Sequence, residues 1–182
     1  LGHGDAAARY VAEVLAAGVP AVLDADALVL HAGKLGSLAA AAGPLVLTPH
    51  PGEAARLLGI TTAEVEADRL AAARAIAMAS KAVVVLKGAR TIVCDGTIGD
   101  DFCAINPTGG PALGTGGSGD VLAGVIGGLL AQGLGAVDAA RVGAFVHGRA
   151  GDTLSERHGA RGVMSSDLPL AVATALRSLT PE

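Results

Sequence analysis

The chain has 182 residues, 51% of them apolar, and a formal net charge of −4. That length supports one domain with a substantial core, and the scattered basic residues exclude an electrostatic footprint for nucleic acid. Tyr10, Phe102 and Phe145 are the whole aromatic complement, so a bound base would lie between aliphatic side chains rather than stack on rings. No basic segment followed by an apolar one opens the sequence, so no secretion signal is expected. Cys94 and Cys103 are too few for a metal-ligand cluster and read as reduced thiols of an intracellular protein.

In chain order, residues 5–17 read as a helix closed by Gly18, and 19–24 as a strand. A helical stretch over 27–42 carries a break near Gly33, 45–48 is a short strand, and a turn of helix covers 52–58. Thr61 is placed to cap an Ala-rich helix over 62–80. The continuous apolar run at 82–87 predicts a strand buried on both faces. Strands at 91–94 and 102–105 flank Asp95-Gly96, a favourable turn pair. Helices over 119–132, 137–155 and 168–179 complete the chain. The uncharged stretch 121–137 approaches the ~20 residues of a membrane span, but its five glycines and Gln132 predict a buried core helix instead. Alternating strands and helices predict an α/β fold with a mostly parallel sheet covered by helices on both faces. With no linker, repeat or charge block, 1–182 reads as a single domain.

In such sheets ligands bind at the carboxyl ends of strands, and the polar motifs fall there. The stretch from Asn106 to Asp120, NPTGGPALGTGGSGD, places a glycine-dense loop before an apolar helical run. Glycine allows close backbone approach and positive φ, and a helix start adds aligned N–H donors and a positive dipole end. This predicts an anion site, most plausibly for phosphate, in the loop ending at Asp120, the structural alternative being a glycine-rich helix start where Asp120 only balances the dipole. It is neither a P-loop nor a dinucleotide fingerprint, because no Lys follows the last glycine and the spacing does not come directly off a strand. Asp24-Ala25-Asp26, Thr48-Pro49-His50-Pro51-Gly52-Glu53 and Lys87-Gly88-Ala89-Arg90-Thr91 end the first three strands. Each has a structural alternative: Asp26 and Glu53 as helix-end residues, His50 as a turn residue held by backbone hydrogen bonds, Lys87 as a solvated strand end.

Together these motifs resemble the ADP-dependent NAD(P)H-hydrate dehydratases, carbohydrate-kinase-like domains of the ribokinase superfamily. The resemblance rests on Leu23-Asp24-Ala25-Asp26-Ala27-Leu28, Thr48-Pro49-His50-Pro51-Gly52-Glu53, Lys87-Gly88, Asn106-Pro107-Thr108-Gly109, Gly117-Ser118-Gly119-Asp120-Val121-Leu122-Ala123-Gly124 and Ala144-Phe145-Val146-His147-Gly148. Ser118 stands where the family usually has Thr, and Gly110 and Gly114 replace residues more often Asn and Ala. Family members also carry a further N-terminal part, of whose Gly-rich turn Leu1-Gly2 resemble the tail, so the domain is expected to be N-terminally incomplete.

The resemblance implies a ribokinase-like three-layer fold and repair of hydrated NADH or NADPH at the expense of ADP, with Mg2+ on the phosphates and no all-protein metal cage. It implies Asp120 as the base, and His50, Asp120 and Gly2 as contacts of the hydrate. Lys87, Gly88, Ala89, Arg90, Thr91, Gly116, Gly117, Ser118 and Gly119 are the implied nucleotide contacts, the N–H groups of Gly116 to Gly119 stabilising the transferring phosphoryl group. A homo-oligomer in the cytoplasm, without membrane or nucleic-acid partners, is the implied setting. Two other readings stay open: an ATP-dependent kinase of a vitamin precursor or sugar, and a catalytically silent nucleotide-binding module.

Overall fold

The computed structural model describes residues 4–98 and 102–179. Its sheet holds β1 (Ala21–Leu23), β2 (Leu45–Leu47), β3 (Val83–Leu86), β4 (Ile92–Asp95) and β5 (Cys103–Ile105), side by side in that order. β1, β2 and β3 pair in parallel, whereas β4 is antiparallel to both β3 and β5. Four strands therefore run one way and β4 runs against them. The physical reason is the connection: only residues 87–91 separate β3 from β4, far too few for the crossover a parallel pair requires.

Every residue of β2, β3 and β4 is buried, and their alternation divides the core. Leu45, Leu47, Val84, Leu86, Ile92 and Cys94 face one layer. It is built from α1 (Asp5–Ala16), α2 (Asp26–Val29), a 3-10 segment (Leu35–Ala40), α3 (Pro51–Leu58), α4 (Thr62–Ala67) and α5 (Arg69–Ser80). Val46, Val83, Val85 and Val93 face α6 (Ser118–Ala131) and α7 (Ala136–His158). A third cluster joins α7 to α8 (Leu168–Arg177) through Val146, Ala150, Leu154, Leu168 and Val172. The result is a helix–sheet–helix sandwich.

Several boundaries differ from the sequence reading. The helix expected over 27–42 is one short helix and a 3-10 turn, because Gly33 takes φ +68° between them. Thr61 caps α4 as expected, with Glu64 answering in a reciprocal capping box. That helix stops at Asp68, whose extended backbone (φ −145°, ψ 80°) and side-chain bond to the Ala71 N–H start α5 afresh. The Asp95-Gly96 turn is part of a longer loop, with Asp95 Oδ1 accepting from the Thr97 N–H and hydroxyl. The expectation of reduced thiols is corrected: Cys94 and Cys103 form a disulfide. They stand directly opposite each other in the β4–β5 register, a proximity that nine residues of sequence separation do not reveal. No described helix is long and apolar enough to cross a membrane, the 121–137 stretch being divided between α6, a turn at Gly133 and α7.

Candidate active site

Parallel β1, β2 and β3 deliver their carboxyl ends to one edge, and the charges there form a connected group. Lys87 Nζ donates to Asp24 Oδ1 at 2.7 Å and lies 3.7 Å from Glu53 Oε2. All three side chains are largely buried, Glu53 at 8% exposure, so the pairing offsets what would otherwise be a costly desolvation. Ala25, next to Asp24, holds φ +48° and ψ −121°. That is a conformation a non-glycine residue tolerates only when its surroundings enforce it.

His50 is the N-cap of α3. Its Nδ1 accepts from the Gly52 and Glu53 N–H groups at 3.0 and 3.3 Å, while its own N–H donates to Glu53 Oε2 at 2.7 Å. This leaves Nε2 as the protonated ring nitrogen, 3.5 Å from Glu53 Oε1. The reading of His50 as a turn residue held by backbone hydrogen bonds is met. One nitrogen holds the turn, and the half-exposed ring faces the groove described below. Glu53 is more than a residue serving the helix dipole, since it also ties His50 to Lys87.

The other wall is the N-terminus of α6. Gly117 adopts φ +87°, and a Cβ there would stand 2.9 Å from Ser165 Oγ; glycine meets both demands. Ser118 Oγ donates to the Leu113 carbonyl at 2.6 Å, and the Ser118 carbonyl lies 3.0 Å from His147 Nε2. Gly119 abuts the charge group: a Cβ would sit 3.3 Å from Lys87 Nζ and 3.8 Å from Asp24 Oδ2. Asp120 follows in the first turn, exposed.

The Asn106–Thr108 loop is clamped to α7. Asn106 Nδ2 donates to the carbonyls of Thr108 (3.0 Å) and Ala144 (3.1 Å), and Thr108 Oγ1 donates to that of Phe145 at 2.9 Å. Gly148 makes this approach possible, since a Cβ on it would lie 2.7 Å from the Thr108 carbonyl carbon.

Burial pushes the pKa of His147 below the ordinary 6.5, and Lys87 adds to this, while the bond to Ser118 pulls it up. A folded-state pKa below the unfolded one means that the unfolded chain binds the proton first as pH falls. The contribution of His147 to stability is therefore complete above 6.5 and is lost progressively below it, down to the folded pKa. His31, lowered by burial and Lys34, acts with the same sign. Chemical denaturation at pH 7.5 and at lower pH steps should show this decline, and a His147→Gln variant should show a shallower one.

These walls enclose an open groove of about 810 Å³, within the size range of small-molecule sites. It brings together His50, Lys87, Gly88, Ala89, Arg90, Thr91, Ser118 and Gly119, with Asn106, Pro107, Thr108, Ala144, His147 and Gly148 between them. Among the described residues no Phe or Tyr side chain lines it. Gly116 and Gly117, on the exposed approach to α6, and Asp120, exposed in its first turn, are outside its lining. Gly2 lies outside the described residues. Asp24, Glu53, Arg69 and His147 are not among the site residues that the sequence points to. Asp24 and Glu53 carried a signal, polar residues at strand ends, whereas Arg69 stands in a helix with no distinguishing motif.

A three-layer α/β sandwich with a glycine-loop helix at the open end of its parallel strands is a ribokinase-like fold. Among solved structures it is similar to the ADP/ATP-dependent NAD(P)H-hydrate dehydratase from Bacillus subtilis co-crystallised with ATP/Mg2+. The TM-score is 0.87 at 30% identity, covering 99% of this chain and 62% of that one. A ribokinase-like superfamily protein from Enterococcus faecalis is similar with TM-score 0.75 at 26% identity, covering 100% of this chain and 62% of that one. A carbohydrate-kinase-type family model, described as NAD(P)H-hydrate dehydratase, matches residues 1–172. The chain belongs to that family. It is 49% identical over 166 residues to a bifunctional NAD(P)H-hydrate repair enzyme of Moorella thermoacetica, covering 90% of this chain and 30% of that protein. It is 46% identical over 173 residues to an ADP-dependent (S)-NAD(P)H-hydrate dehydratase of Neisseria meningitidis, covering 92% and 57%. The chain thus spans less than two thirds of the length of these relatives.

Proposed function

We propose that residues 1–182 form a domain that dehydrates hydrated NADH or NADPH at the expense of ADP, giving the reduced nucleotide, AMP and phosphate. The observation that carries this reading is the convergence of His50, the Lys87–Thr91 loop and the α6 N-terminus on one groove, in a chain whose relatives carry that activity in their names. Hydroxide is a poor leaving group, and phosphate a good one. Transfer of the ADP β-phosphoryl group to the ring hydroxyl breaks the P–O bond to AMP. Departure of phosphate, with loss of a proton from the neighbouring ring carbon, then restores the double bond.

In this reading Asp120 accepts the hydroxyl proton. The N–H groups of Gly116, Gly117, Ser118 and Gly119 face the charge of the transferring group, the role electrostatics takes in phosphoryl transfer. Lys87, Gly88, Ala89, Arg90 and Thr91 receive the nucleotide, and His50 the hydrate, with Gly2 as its expected neighbour. Asp24 and Glu53 are committed to Lys87, and among the described residues no three His, Cys, Asp or Glu side chains could together hold an ion. That donor set fits Mg2+ carried on the ADP phosphates and water, where it neutralises phosphate charge. The substrates of this reading are cytoplasmic metabolites, which sets the compartment we propose, and the family resemblance extends it to a homo-oligomer.

The test is recovery of reduced-nicotinamide absorbance from hydrated NADPH with Mg2+ and ADP, beside ATP and no-nucleotide controls. ADP-dependent recovery supports the dehydratase. A stable phosphorylated product from ATP would favour the kinase, and ADP binding without turnover the silent module. His50→Asn adds a separate check. Asparagine keeps a capping acceptor for α3 but removes the ring, so the melting temperature should hold within a few degrees while the apparent affinity for the hydrate falls. Unchanged affinity would reduce His50 to its capping role.

A further inference from the structure

The loop from Lys87 to Thr91 has an unusual support. Arg69, the first residue of α5, reaches across to it and donates from Nη2 to the carbonyls of Leu86 (3.3 Å) and Lys87 (3.2 Å) and from Nη1 to the carbonyl of Ala89. The Arg69 side chain is 16% exposed. Gly88 takes φ +139°, and a Cβ on it would lie 2.7 Å from Arg69 Nη2, so the backbone closes over the guanidinium at the residue that lacks a side chain. Arg90 holds φ +54°. The break at Asp68 makes this reach possible, because α5 starts anew with Arg69 at its outer end.

In a trans peptide the carbonyl and the following N–H point in opposite directions. Drawing the Lys87 and Ala89 carbonyls inward onto Arg69 therefore turns the Gly88 and Arg90 N–H groups outward. Among the described residues neither N–H is used in a hydrogen bond, and both residues line the groove. Outward N–H groups set by flanking carbonyls make an anion-binding concavity.

We propose that Arg69 is the positioning residue of this loop, holding its carbonyls so that a pair of backbone donors faces a phosphate group of the nucleotide. The inference rests on the reading that residues 87–91 receive ADP. Arg69 itself stands behind the loop and does not touch the ligand. A lysine cannot replace it fully, since one ammonium lacks the planar fork that spans three carbonyls.

Titration calorimetry with ADP and Mg2+ on the wild-type chain, Arg69→Met and Arg69→Lys tests this, with amide NMR shifts of Gly88 and Arg90 recorded in parallel. ADP affinity should fall about tenfold or more in Arg69→Met, the equivalent of one net hydrogen bond lost, and severalfold in Arg69→Lys. The KM for hydrated NADPH at saturating ADP should stay within about twofold, a split that general destabilisation would not produce. Wild-type affinity in Arg69→Met overturns the proposal, and should that variant fail to fold, wild-type affinity in Arg69→Lys does so. If ADP binds the wild-type chain without moving the Gly88 and Arg90 amides, the loop is not the nucleotide site and the underlying reading falls with it.

Discussion

Asp120→Asn should lower turnover of the hydrate by about two orders of magnitude or more, the usual loss when a positioned base is removed, while ADP still binds. Asparagine has nearly the same shape and keeps a hydrogen-bonding side chain in the first turn of α6, but it cannot accept a proton. The neighbouring donors do not depend on it. Gly117 keeps its own positive-φ conformation, and Ser118 is held by Leu113 and His147. The stability cost is limited to a carboxylate near a helix N-terminus, about 0.3–1 kcal/mol, so a large fall in turnover would not come from unfolding. Single-turnover kinetics at saturating ADP and hydrate is the measurement. Near-normal turnover would remove Asp120 from the chemistry and leave it a dipole-serving residue.

Lys87→Met should have the largest effect on the fold. Removing Nζ leaves Asp24 and Glu53 with no cation between them at a largely buried strand edge. Breaking a buried pair from one side costs about 3 kcal/mol or more, which for a domain of this size corresponds to a drop of about 10 °C in melting temperature. Asp24→Asn in the same chain should recover part of that loss, because the two residues are directly bonded and their effects cannot add. Thermal melts of the two single variants and the double variant measure this coupling. Strict additivity would show that the Lys87–Asp24 contact contributes nothing, and Lys87 would revert to a solvated strand end.

How much was legible in the sequence varies with the range of the interaction. The buried strands β2 and β3, the Thr61 cap and the helix expected from 119, which starts one residue earlier at Ser118, all follow from residues within a few positions of one another. The split of the 62–80 helix at Asp68 escaped because propensity favours one continuous Ala-rich helix. An Asp side chain bonding the Ala71 N–H competes with it locally, and Arg69, released at the new helix start, reaches the loop after β3. Cys94 and Cys103 escaped for a related reason, since only the β4–β5 register brings them together.

The amino-acid order alone placed the five strands and most of the helical segments, the polar motifs that close the first three strands, and the glycine-dense loop before Asp120, because periodicity, caps and backbone freedom are local properties. Tertiary structure alone decided what those motifs do to one another. Asp24, Glu53 and Lys87 are separated by 29 and 34 residues in sequence, and only parallel pairing of β1, β2 and β3 sets their carboxylates and ammonium within 3.7 Å. Which nitrogen of His50 caps and which faces the groove, and which way the carbonyls after β3 point, are likewise consequences of packing. A charge or a peptide dipole acquires its role from neighbours that the fold, not the chain order, supplies.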